Sequence, residues 1–260
     1  MDLYFKETGN CDNETIIFLH GGGISGWMWD KQLDALKDYH CLVPDLPEHG
    51  RSIEMKPFTI KGSAKMIIDL IKERSCNGKA HVIGLSLGAQ ITVQILTKAP
   101  KTVDHALISG ALAREFYGPK TLKMLNVLFK AYMPFKDIDL LIKLNMKSNG
   151  VPMKYFDEFK KDTKTLTLSS LRNVIKENML FRIQDVLCKA KTPVLITVGK
   201  KEQKIAYKSA IDLNKCLPNS KAYEVTNLGH NWPLESPKLF NNVLRAWIND
   251  KPIPKALSKF

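Results

Sequence analysis

Short apolar runs alternating with segments of helical period leave this 260-residue chain few ways to fold. Strands are expected at residues 15–19, 41–43, 80–83, 103–108, 194–198 and 222–225, and helical segments at 27–36, 59–74, 87–97, 206–216 and 237–248. In 59–74, Ile60, Ala64, Ile67, Ile68 and Ile71 recur at helical intervals along one face. Strands alternating with helices imply parallel βαβ units, and hence an α/β fold with a doubly wound, mostly parallel sheet.

The rhythm stops between residues 113 and 187. That stretch has no strand-like alternation but several amphipathic pieces, among them TLKMLNVLFKAYM. There Leu122, Leu125, Leu128, Phe129 and Tyr132 are apolar, with Lys123 and Lys130 between them. The pattern predicts a helical insertion, residues 113–187, laid over one end of the sheet formed by residues 1–112 and 188–260. Its apolar stripe is expected to pack on the domain beneath or to line a substrate pocket. A helix lying on a membrane surface is the competing reading.

Composition excludes several classes. No apolar run reaches the roughly 18 residues of a membrane span, so stable membrane insertion is not expected. The opening MDLYFKETGN has neither the basic nor the apolar part of a secretory signal. Cys11, Cys41, Cys76, Cys188 and Cys216 are odd in number, scattered and without metal-ligand spacing. Reduced thiols in a cytoplasm are the expectation. The net charge of +13 invites a nucleic-acid reading, but its distribution argues against one. Residues 1–113 hold 12 basic against 13 acidic side chains. The excess lies downstream, mostly as lysines spread singly, with no arginine cluster and no interleaved aromatics. A solvated basic surface is the simpler account, with attraction to anionic substrates or an anionic membrane surface as the other.

Chemistry concentrates where strands end. HVIGLSLGAQ places Gly84-Leu85-Ser86-Leu87-Gly88 between an expected strand and an expected helix. A G-x-S-x-G string arises by chance in about one chain in ten of this length, so the context decides. A serine in a strained strand-to-helix turn, with glycines that let the helix approach, leaves its hydroxyl exposed as a nucleophile. Acyl transfer puts negative charge on oxygen, which fixed N–H donors stabilise. Leu87 N–H would be one donor, and His20-Gly21-Gly22-Gly23 would supply the other, from Gly22.

These stretches, taken together, resemble the α/β-hydrolase superfamily over nearly the whole chain. His20-Gly21-Gly22 followed by Trp27 and Trp29 is similar to the oxyanion turn and its following helix. Asp45-Leu46-Pro47-Glu48-His49-Gly50-Arg51-Ser52 resembles the loop D-x-P-G-H-G-x-S, with Glu48 where glycine is usual. The resemblance implies that His230, in a Gly-His pair after the last strand, is the general base, and that His20 and His49 are structural. It also implies an acid between nucleophile and base in chain order. The acid normally follows a strand in a turn of form G-x-x-D, and Gly199-Lys200-Lys201-Glu202 has that form with glutamate. The alternative position, at Ser109, Gly110 and Ala111, offers no carboxylate. Asp104 begins a strand, Asp212 lies in a helix and Glu224 lies within a strand, which leaves Glu202.

The expected function is a serine hydrolase of a carboxylic ester or related small acyl compound, with no cofactor and no metal. Esterase, monoacylglycerol-type lipase, thioesterase, C–C bond hydrolase and cofactor-free perhydrolase all remain open, because fold does not fix reaction. A binding protein that keeps the same residues is the competing class. Substrate groups are expected to be largely apolar, with anionic groups tolerated at the entrance.

Overall fold

The computed structural model describes residues 3–114 and 119–260. The first two residues of the N-terminal stretch and residues 115–118 of the expected insertion lie outside the described residues. In chain order the elements are β1 (Phe5–Thr8), β2 (Thr15–Leu19), α1 (Asp30–Ala35), β3 (His40–Pro44), α2 (Ile60–Arg74), β4 (Ala80–Leu85), α3 (Leu87–Lys98) and β5 (Val103–Ser109). Four helices follow without a strand: α4 (Pro119–Tyr132), α5 (Asp139–Asn149), α6 (Phe156–Thr165) and α7 (Leu168–Leu180). The chain then returns through β6 (Val194–Gly199), α8 (Lys204–Cys216), β7 (Ser220–Val225), α9 (Trp232–Glu235), α10 (Pro237–Ile248) and β8 (Leu257–Lys259).

The strands form one sheet in the order β1-β3-β2-β4-β5-β6-β7-β8. The six central strands fall on the six expected strands and are all parallel. The two edge strands, β1 and β8, pair antiparallel with β3 and β7. Side chains alternate across each central strand, and in β2, β3, β4 and β6 they are buried on both faces, as a sheet covered by helices on both sides requires. Ile17 and Leu19 of β2 join Ile67 of α2, Ile91 of α3 and Leu213 of α8 in one core. Ile16 and Phe18, one residue out of phase, join Leu33 of α1 and Phe240 of α10 in the other. Helix α2 starts where Thr59 accepts a hydrogen bond from Gly62 N at 3.0 Å, a side-chain N-cap.

Three expectations need correction or completion. Cys188 and Cys216 form a disulfide, with Cα atoms 4.6 Å apart, so the thiols are not all reduced. The turn before β6 and the end of α8 are brought side by side by the sheet, which a sequence separation of 28 does not reveal. The cytoplasmic expectation loses the support it drew from reduced thiols. The apolar stripe of α4 is divided: Leu122, Leu125, Phe129 and Tyr132 are half-buried, but Leu128 is exposed beside Met124 and Val127. The half-buried side of the helix borders a cavity shared with Arg172 and Ile175 of α7, itself one of the four inserted helices. Glu48, where glycine was usual, does adopt a left-handed backbone with φ 62°. Its buried carboxylate makes the strain useful, accepting hydrogen bonds from Phe58 N at 3.0 Å and from Asn173 Nδ2 of α7 at 3.1 and 3.0 Å. Among the described residues, no helix is long and apolar enough to cross a membrane.

Candidate active site

The turn from β4 into α3 holds Ser86 at φ 55° and ψ −111°, a sparsely populated conformation for a residue with a Cβ. Neighbours over-determine it. Ser86 N donates to Ser109 O at 2.8 Å, and Gln90 N donates to Ser86 O at 3.0 Å. A Cβ on Gly88 would come within 2.2 Å of Leu19 O, so only glycine lets α3 press this closely on the end of β2. Leu85 and Leu87 are buried while Ser86 is half-exposed, which turns the hydroxyl outward.

The His20 turn lies directly beside this elbow. A Cβ on Gly21 would sit 3.7 Å from Ser86 Cβ, and one on Gly22 would sit 3.6 Å from Leu87 Cδ2 and 3.4 Å from Val174 Cγ1 of α7. Neither Gly22 N nor Leu87 N finds a hydrogen-bond acceptor among the described residues. His20 ties the turn down. Its Nδ1 donates to Gly21 O at 2.8 Å, and its Nε2 accepts from Leu46 N at 2.9 Å. That pattern requires a neutral ring with its proton on Nδ1. Burial agrees, pushing the pKa of His20 down to about 4. His49 is likewise buried, pushed down to about 3, and its Nδ1 donates to Pro47 O at 2.9 Å. Neither ring is free to shuttle a proton.

Beyond β6 the chain turns tightly. Glu202 N donates to Gly199 O at 2.9 Å, and Gly199 N donates back to Glu202 Oε1 at 2.8 Å. The second oxygen, Oε2, accepts from His230 Nδ1 at 2.7 Å. Glutamate's extra length is thus taken up by folding the side chain over its own turn. The carboxylate is almost wholly buried, whereas about a third of the imidazole (34%) is exposed. Burial alone would lower the pKa of His230, but the Glu202 hydrogen bond and charge outweigh it and hold the ring above 6.5. The other acids are engaged elsewhere: Asp212 with Arg114, and Glu224 with Tyr207 Oη and with Lys200 at 3.5 Å.

Ser86, Glu202 and His230 line one cavity of about 430 Å³, with Leu112 and Asn178 among the other walls. No hydrogen bond joins the Ser86 hydroxyl to His230 among the described residues; such bonds often tighten only when substrate is in place. One wall residue escaped the sequence reading. Gly110, just after β5, has φ 63°, and a Cβ there would lie 2.7 Å from His230 Cε1 and Nδ1 and 3.1 Å from Glu202 Oε2. A glycine ending a strand was the available signal. Gly110→Ala is expected to displace the imidazole and lower kcat on the order of 10–10² fold, as a misplacement of about 1 Å does. Steady-state kinetics beside a thermal melt separates this from unfolding; an unchanged kcat would mean that the ring has room to move.

Comparison with known proteins gives a consistent setting. The sequence pattern of the Alpha/beta hydrolase family matches residues 16–243. An AB hydrolase superfamily protein of Gibberella zeae is 26% identical over 257 residues, covering 96% of this chain and 85% of that protein. Lipase 3 of Moraxella sp. is 23% identical, covering 94% of this chain and 80% of its own length. In fold, the chain is similar to a thermophilic esterase from Thermogutta terrifontis, with a TM-score of 0.78, 18% identity, and 95% and 93% of the two chains covered.

Proposed function

The chain belongs to the alpha/beta hydrolase family, and we propose that it is a serine hydrolase that cleaves carboxylic esters or related acyl compounds. The reading rests on one observation: the hydrogen-bonded His230–Glu202 pair opens on the same cavity as the strained Ser86. Ser86 Oγ attacks the acyl carbon, and His230 Nε2 takes its proton as the bond forms. Glu202 holds the ring with Nδ1 protonated and offsets the imidazolium charge. Gly22 and Leu87 N–H groups, both without other acceptors among the described residues, receive the developing oxyanion. His230 then protonates the departing alcohol, leaving an acyl group on Ser86. A water, deprotonated by the same ring, releases the acid. Residues 113–187 act as a cap that shapes substrate choice over a core of 1–112 and 188–260. The names of the Moraxella and T. terrifontis proteins, a lipase and an esterase, accord with ester cleavage.

Turnover of p-nitrophenyl esters from acetate to octanoate tests the proposal. Absence of turnover together with retained binding of a small apolar ligand would favour a binding protein instead. The pH profile is a second check. His230 must be neutral to accept a proton, and its pKa is held above 6.5. Activity is therefore expected to rise with pH through a value above 6.5 and then level off. In Glu202→Gln the two influences that raise the pKa are gone and burial remains, so the acid limb is expected to move to lower pH. A limb that stays in place would show that Glu202 does not govern the titrating group.

A further inference from the structure

Helix α4 has a second apolar side that no described residue covers. Leu122, Leu125 and Phe129 share a small cavity with Arg172 and Ile175 of α7. Met124, Val127 and Leu128 lie on the opposite side, with 67% of Val127 exposed. Helix α5 repeats the arrangement, with Ile142 and Met146 buried but Leu140 and Leu144 in solvent. Among the described residues thirteen large hydrophobic side chains are exposed, and eight of them fall between residues 124 and 153. Exposed apolar residues scattered singly need no account, but this concentration in one pair of helices, their link and the turn after α5 does.

Charge indicates what kind of surface fits it. Residues 120–154 contain seven lysines against two acids, Asp137 and Asp139. Both acids are engaged already, with Lys136 at 2.8 Å and Lys160 at 2.6 Å. Lys123 and Lys130 lie roughly 40–60° around α4 from Val127, and Lys143 and Lys147 lie a similar angle from Leu140 and Leu144 on α5. None of these four has an ion-pair partner among the described residues. An apolar strip edged by lysines suits an anionic lipid surface: the apolar groups enter the acyl boundary while the lysine stems reach the headgroups. The end of α5 also borders the catalytic cavity, which Lys147 and Ser148 line. Asn231, next to His230, donates from Nδ2 to Asn149 O at 2.5 Å.

We propose that α4 and α5 dock this protein on an anionic lipid surface, with the mouth of the catalytic cavity at the edge of the contact. The docking stands apart from the reaction proposed for Ser86. Co-sedimentation of the full chain with vesicles tests it. Binding is expected to be at least about tenfold stronger on phosphatidylcholine containing about 30 mol % phosphatidylglycerol than on phosphatidylcholine alone. The variant Val127→Ser/Leu140→Ser/Leu144→Ser is expected to lose at least about tenfold with an unchanged thermal midpoint, since all three side chains are exposed. Lys123→Glu/Lys130→Glu/Lys143→Glu is expected to lose the preference for the anionic vesicles. Equal binding by the serine variant, or no binding by the native protein to either vesicle, overturns the proposal. So does a native dimer in sedimentation velocity that the serine variant dissociates, which would assign the apolar surface to a second copy of the chain.

Discussion

Ser86→Ala is expected to lower kcat on a p-nitrophenyl ester by a factor on the order of 10³–10⁶, the range seen when a nucleophile that works as part of a unit is removed. The loss falls on kcat because no acyl group can be carried without the hydroxyl. Covalent labelling by a fluorophosphonate is expected to disappear with it. The fold is expected to survive, since the conformation at residue 86 is held by backbone hydrogen bonds to Ser109 and Gln90 and not by the side chain. Labelling or turnover that persists in the alanine variant would remove Ser86 from the mechanism.

Glu202→Gln is expected to cost on the order of 10²–10⁴ in kcat, following the precedent of a neutralised triad acid. The local hydrogen bonding explains the direction. Gly199 N–H donates to Oε1, so a glutamine oxygen is drawn to that donor and its NH₂ is turned toward His230 Nδ1. The ring must then accept at Nδ1 and carry its proton on the nitrogen that faces Ser86, the wrong tautomer for a base. Glu202→Asp keeps the charge and loses about one methylene of reach, so a smaller loss is expected. Asp212→Asn and Glu224→Gln are expected to change kcat little, because those carboxylates serve Arg114, Tyr207 and Lys200. All four are compared on one ester. Full activity in Glu202→Gln would return Glu202 to the status of an ordinary turn residue.

Legibility varied with the distance over which each signal acts. β2, β4 and β6 were plain because each is buried on both faces and reads as a mostly apolar run, whereas β5 and β7 carry Asp104 and Glu224 within the strand and are buried only in part. The edge strands were not. Phe5–Thr8 is half-buried at its ends and exposed between them, and Leu257–Lys259 has one buried residue, so neither carries a periodic mark. The Glu48 substitution looked like a departure from a turn pattern. Its partners, Phe58 and Asn173, lie 10 and 125 residues away, and no local pattern points to them. Gly110 was weighed only as a position lacking a carboxylate, although the space it leaves for the His230 ring is what distinguishes it.

What the sequence determined by itself is what near neighbours encode: alternation of strand and helix, the tight turn at Ser86 flanked by glycines, and the four carboxylates between which a choice was needed. Tertiary structure alone decided which partners meet. It set Glu202 against His230 across 28 residues, joined Cys188 to Cys216, and left Leu128, a member of the apolar stripe, facing solvent. Periodicity reports which side of an element is apolar, because side-chain direction repeats every two or 3.6 residues. It carries no information about what stands opposite that side, which the order of strands in the sheet and the path of the four helices between β5 and β6 had to supply.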